Sequence, residues 1–188
     1  MDRREPSALR TGALVERTID LLRARCGPQD LPASTALAWK LIWLSLLVEY
    51  LGTILLPLAN QTPLRFALSF SYGLALPWLL LALVRKRARY LQTLSALLAT
   101  GIVLSLAFLP LAMAALNAGM GGDATEGNSR QSLLALLILA VMIWKIWVTG
   151  NIWRHALEWP FAAGVAVALA MFAIQVGLDR WLFAGAPT

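Results

Sequence analysis

A single carboxylate, Glu49, stands deep inside "TALAWKLIWLSLLVEYLGTILLP", residues 35–57, a long and mostly apolar run. At the centre of a membrane-spanning helix a charged side chain costs about 2.5–3.5 kcal/mol on insertion scales. Residues kept at that cost face the interior of a bundle and find a partner there, or they handle protons or cations. Tyr72 is matched to Glu49 in depth, each about eight residues from the same end of its own apolar run, with Ser69 and Ser71 close by. Gln175 is somewhat shallower. Glu49, Tyr72 and Gln175 are therefore the candidate intramembrane polar site, and the expected state of Glu49 is a protonated carboxyl hydrogen-bonded to a neighbouring span. Lys145 is the other candidate partner. With its span ending at 150 it lies only about five residues from the boundary, against about fourteen for Glu49, a vertical gap of roughly 13 Å at 1.5 Å per residue. That depth predicts a lysine that snorkels to the headgroups instead.

Other reactive residue types do not converge. His155 is the only histidine and Cys26 the only cysteine, so neither a metal site, a catalytic triad nor an internal disulfide can be assembled around them. Cys26 reads as a small apolar residue. "GMGGDATEGNS" is glycine-rich but follows no strand and lacks the Lys-Ser/Thr of a phosphate loop, so it reads as a connector. No cofactor and no enzymatic activity are expected.

The elements that must position Glu49 follow from composition. Of the 188 residues, 59% are hydrophobic and 14% charged, where a soluble domain is nearer half apolar and about a quarter charged. The excess lies in blocks long enough to cross a bilayer, which takes roughly 20 apolar residues. The expected fold is an all-α integral membrane bundle of five transmembrane helices, about 35–57, 65–84, 90–116, 131–150 and 159–179, preceded by an amphipathic interfacial helix. Residues 1–34 form the N-terminal segment and 35–184 the five-span domain. Within residues 6–25, Leu14, Ile19, Leu21 and Leu22 fall on one helical face, with Arg10, Arg17, Asp20 and Arg23 opposite, a pattern suited to anionic lipid or to a partner's surface. Gly27-Pro28 ends that helix, Asp30 is expected to cap the next, and Pro32 to sit in its first turn. Pro57, Pro77 and Pro110 are expected to mark bends or ends of spans.

The net charge of +6 is distributed as an orientation signal and not as a nucleic-acid stripe. Arg3, Arg4, Arg10, Arg17, Arg23 and Arg25 precede the first span; Arg85, Lys86, Arg87 and Arg89 separate the second and third; Arg154 and His155 follow the fourth. The opposite flanks offer Arg130 with Asp123 and Glu126. The expectation is a multi-pass protein of the cell inner membrane, N-terminus cytoplasmic and C-terminus periplasmic. Most tryptophans, from Trp39 to Trp159, fall in the cytoplasmic half, as an anchor or as the lining of a space between spans. Arg85, Lys86, Arg87 and Arg89 are candidate contacts to anionic headgroups, at about 1 kcal/mol each. The last span carries small residues at Ala162, Ala166, Ala170, Ala173 and Gly177, which suits close helix approach within the chain or self-association.

Two stretches carry a family resemblance. "SYGLALPW", residues 71–78, resembles the tyrosine-glycine-to-proline pattern of a span in the Yip1 family of small polytopic membrane proteins. "NIWRHALEWPFAAGVAVAL", residues 151–169, resembles the basic loop and alanine-rich last span of bacterial members. Where eukaryotic members carry D-L-Y-G-P this chain has "DLPAS", residues 30–34, and no functional residue is carried over. With almost no soluble domain, the chain is expected to be a non-enzymatic, Yip1-like scaffold or accessory subunit of a membrane assembly, meeting a membrane-protein partner or a second copy through its spans, its basic N-terminal helix or its short loops. The alternative is a small transporter or channel-like subunit that uses Glu49.

Overall fold

The computed structural model describes residues 11–56, 62–119 and 129–183. Residues 6–10 of the expected first helix, Pro57 and the glycine-rich connector at 120–128 lie outside them. The described chain is all-helical: α1 (Thr11–Leu22), α2 (Thr35–Leu55), α3 (Pro63–Leu83), α4 (Tyr90–Asn117), α5 (Ser129–Leu157) and α6 (Phe161–Phe183), with short 3-10 turns at Pro28–Asp30 and Arg87–Arg89. The last five are long and apolar enough to cross a membrane. With apolar side chains on nearly all sides, they have no polar face to turn to water.

α4 is the central helix. α2 and α5 pack along it, α6 packs along α5, and α3 leans more lightly on α4 and α6. The α5–α6 crossing is tight because it is built on glycine. A Cβ at Gly164 would overlap the Gly150 carbonyl oxygen and come within 2.8 Å of the Arg154 nitrogen. A Cβ at Gly150 would stand 2.7 Å from the Val165 side chain. The small-residue series Ala162, Ala166, Ala170, Ala173 and Gly177 is not part of this crossing; it lies on the exposed side of α6, while Gly164 and Ala168 are buried.

One end of the bundle, here called the basic end, holds Arg85–Arg89 and most of the packed core. α1 docks there: Leu21 and Leu22 bury against Ala96, Val148 and Ile152, and Trp144 Nε1–H donates to the Leu22 carbonyl at 3.1 Å. Val15 and Ile19 stay exposed on the same helix. Asp30 caps locally: its carboxylate accepts from the Gly27 N–H at 2.9 Å. The cap of α2 is Ser34, whose hydroxyl accepts from the Leu37 N–H at 3.3 Å, so Pro32 precedes the helix instead of entering it.

One boundary differs from the sequence reading for a physical reason. α5 continues through Thr149-Gly150-Asn151 to Leu157, because Gly150 and Asn151 are buried in packing where a loop would be solvated. Pro77 and Pro110 lie inside α3 and α4 and end neither. Pro77 has no N–H to give the Gly73 carbonyl, so that acceptor lacks its helical donor.

Candidate functional site

Two chambers open between the spans, of about 330 Å³ and about 600 Å³. The first reaches toward the basic end, where Leu94, Pro77 and Trp153 border it. The second reaches toward the opposite end and is rimmed by Arg65, Asp179 and Arg180. Glu49, Ser69, Ser105, Lys145 and Gln175 border both, so the chambers meet at these side chains.

The three residues singled out from sequence thus come to one place. Glu49 extends the stripe of α2 that buries Leu41 and Ser45 one turn at a time. Tyr72 reaches the first chamber from α3, and Gln175 reaches both from α6. They are not bonded to one another as expected. Among the described residues Glu49 makes no direct hydrogen bond or ion pair to another side chain; its carboxyl is open to the chamber. Ser71 does not join them, because its hydroxyl donates to the Ala67 carbonyl at 2.7 Å within its own helix.

Lys145 is the residue that the sequence reading set aside. Measured on the observed helices, Glu49 is 14 residues from Thr35 and Lys145 is 12 residues from Leu157, both ends lying at the basic end. At 1.5 Å per residue the difference is about 3 Å, not 13 Å. The error came from ending the span at 150. Lys145 is exposed to the same chambers as Glu49, yet the pair does not close into a salt bridge. Hydroxyls of Ser45, Thr100, Ser105 and Thr149 complete the polar lining of the first chamber. Single serines and threonines in apolar spans carry no sequence signal that separates a chamber from ordinary helix packing.

At the far rim, the Arg65 guanidinium donates to the Asp179 carboxylate, through Nε at 2.9 Å and through a second nitrogen, and so ties α3 to α6. Arg65 also lies 5.4 Å from the centre of the Phe183 ring.

At the basic end the four cations proposed for lipid divide into two kinds. Lys86 donates to the Leu157 carbonyl and to Glu158, both at 2.7 Å. Arg89 donates to Glu158 and, at 3.2 Å, to the His155 carbonyl. These bonds give donors to the last carbonyls of α5, which no helical N–H reaches. The hydrogen bonds from Lys86 and Arg89 hold the Glu158 carboxyl below the usual carboxylate range. Arg87 stacks over Trp78 at 5.6 Å, and it and Arg85 remain exposed. α3 and α5 end alike, with a non-glycine residue in the left-handed region: Arg85 at φ 60° and Glu158 at φ 58°. In each case the next N–H returns to a carbonyl five residues back, Lys86 to Leu81 and Trp159 to Arg154.

Of the remaining sites, Cys26 packs beside the Leu21–Ile152 cluster, and burial, more than the nearby Asp30 and Asp20, pushes its thiol up. Such a thiol is a poor nucleophile. His155 Nδ1 lies 2.8 Å from the Asn151 carbonyl of its own helix. Of the tryptophans, Trp153 is fully buried at the floor of the first chamber, while Trp39, Trp43 and Trp181 are exposed. No family model, curated protein or solved structure matches this chain.

Proposed function

We propose that this chain is a non-enzymatic multi-pass protein of a cell inner membrane that passes a small polar solute, as a transporter or channel-like subunit using Glu49. The observation that carries the reading is the polar space shared by Glu49, Lys145 and Gln175 in the middle of five apolar helices. Two ionisable groups kept apart at that depth are costly, and a path for a polar solute is the use that needs them. The second chamber opens toward the end where Arg65 and Asp179 meet. With the basic flanks cytoplasmic, the N-terminus inside and the C-terminus periplasmic, that mouth is periplasmic. α1 then rests at the cytoplasmic surface, where exposed Val15 and Ile19 support contact with the lipid interface and exposed Arg85 and Arg87 support contact with anionic headgroups.

Water access tests the reading. In a Cys26→Ser background, Ser105→Cys should react with a membrane-impermeant thiol reagent, and Glu49→Gln should abolish solute flux in proteoliposomes. A Ser105→Cys protein that stays unlabelled in intact liposomes defeats the proposal.

A second reading, a Yip1-like scaffold or accessory subunit, is favoured by the Ala162–Gly177 series, which lies exposed on α6 among the described residues. It expects a membrane-protein partner or a second copy to survive gentle detergent extraction. Recovery of the isolated chain alone counts against it.

A further inference from the structure

The two opposite charges at the junction of the chambers have a chemistry of their own. A lysine and a glutamate within about 3 Å in depth, on two spans that border one space, can pair directly and neutralise each other. Here they do not. Both side chains border both chambers, both are open to the enclosed space, and no ion pair joins them. The first chamber is lined by hydroxyls and the Gln175 amide as well as by Leu97, Leu104, Met171 and Phe172. Beside it, Gly73 carries the carbonyl that Pro77 leaves without a helical donor, and both residues border the first chamber. The first chamber, at about 330 Å³, lies in the range of small-molecule sites, roughly 300–1,000 Å³.

Resting on the solute-path reading above, we infer that the junction binds a small zwitterion, a molecule with one ammonium and one carboxylate on a short apolar body, of the free amino-acid type. Its ammonium meets the Glu49 carboxyl, with the Gly73 carbonyl as a further acceptor; its carboxylate meets the Lys145 ammonium, with nearby hydroxyls as donors. Its apolar body lies on Leu97, Leu104 and Phe172. A ligand with a single charge would complement one wall and leave the other unanswered, and a buried group left unpaired is penalised. Direct closure of Glu49 on Lys145 would remove the site, so the gap between them is the recognition element.

The test compares three molecules with one isobutyl side chain: leucine, 4-methylpentanoate, which lacks the ammonium, and isoamylamine, which lacks the carboxylate. Binding is measured by titration calorimetry on the full chain in nanodiscs of phosphatidylcholine and phosphatidylglycerol. Leucine should bind at least tenfold more tightly than either half. Glu49→Gln should lower leucine affinity to about that of 4-methylpentanoate, and Lys145→Met to about that of isoamylamine. The wild-type comparison needs no variant to fold. Leucine binding no tighter than one of its halves, or not at all, overturns the inference. If Ser105→Cys is labelled while leucine fails, the ligand class falls and the path stands; if Ser105→Cys is unlabelled, both fall.

Discussion

The two ends of this bundle are built on opposite plans. At the basic end α1, α4 and α5 bury Leu21, Ala96, Val148 and Ile152 completely, or nearly so. There α5 and α6 touch backbone to backbone through Gly150 and Gly164, and the loops are tied by Lys86, Arg89 and Glu158. Toward the other end the helices part around the larger chamber, whose rim carries the ion pair of Arg65 with Asp179. Eight of the twelve α4 residues from Thr93 to Leu104 are buried, and beyond them Ala115 alone is. A molecule that is solid at one end and open at the other can hold a polar cavity at mid-depth without coming apart, because the packed half supplies the stability that the hollow half lacks.

That contrast can be broken most severely at the α5–α6 crossing. Gly164→Leu forces a side chain into the Gly150 backbone and should cost about 3 kcal/mol or more, seen as loss of the cooperative thermal transition in detergent. A transition unchanged within a few degrees would show that the packed end is not where stability resides.

Next in size is the Glu158 tie, which carries a pH signature. Its folded-state carboxyl is depressed by the bonds from Lys86 and Arg89. Its stabilising contribution is therefore present above the ordinary carboxylate range and disappears as pH falls through the depressed folded value. The Tm gap between wild type and Glu158→Gln should be widest near neutral pH and close on acidification. A gap that widens in acid refutes this.

The smallest effect on stability is expected at the open end. Arg65→Gln should change stability by under about 1 kcal/mol, as for partly exposed pairs, but should speed thiol labelling of Ser105→Cys by loosening the rim. Labelling that does not change would separate the ion pair from access to the chamber.

How far the sequence carried the reading depends on which physical pattern was in play. The five helices were legible because runs of apolar residues have one stable fate in lipid, and Glu49 was legible because a carboxylate there is expensive. The depth of Lys145 was set too near the boundary because its span was ended at 150, and only packing against Val165 shows why Gly150 stays helical. The division of Arg85 and Arg87 from Lys86 and Arg89 was also invisible, since all four share one charge and one short loop. What separates them is the end of α5, brought from far along the chain. Ser34 caps α2 where Asp30 was expected to, for a similar reason: each is a good cap, and the turn at Pro28–Asp30 decides which of them meets the helix start.

The Lys86 clamp also sets an order on biogenesis. Its carbonyl partner, Leu157, follows it by 71 residues, about 4–14 s of synthesis at 5–20 residues per second. Throughout that interval the nascent hairpin of α3 and α4 carries its ammonium and guanidinium groups with no receptor. The ribosome must deliver α5 and then Glu158 before the loops can lock. A chain halted before α5 would hold α2, α3 and α4 over an unlatched base, the form that a membrane quality-control protease should cut first.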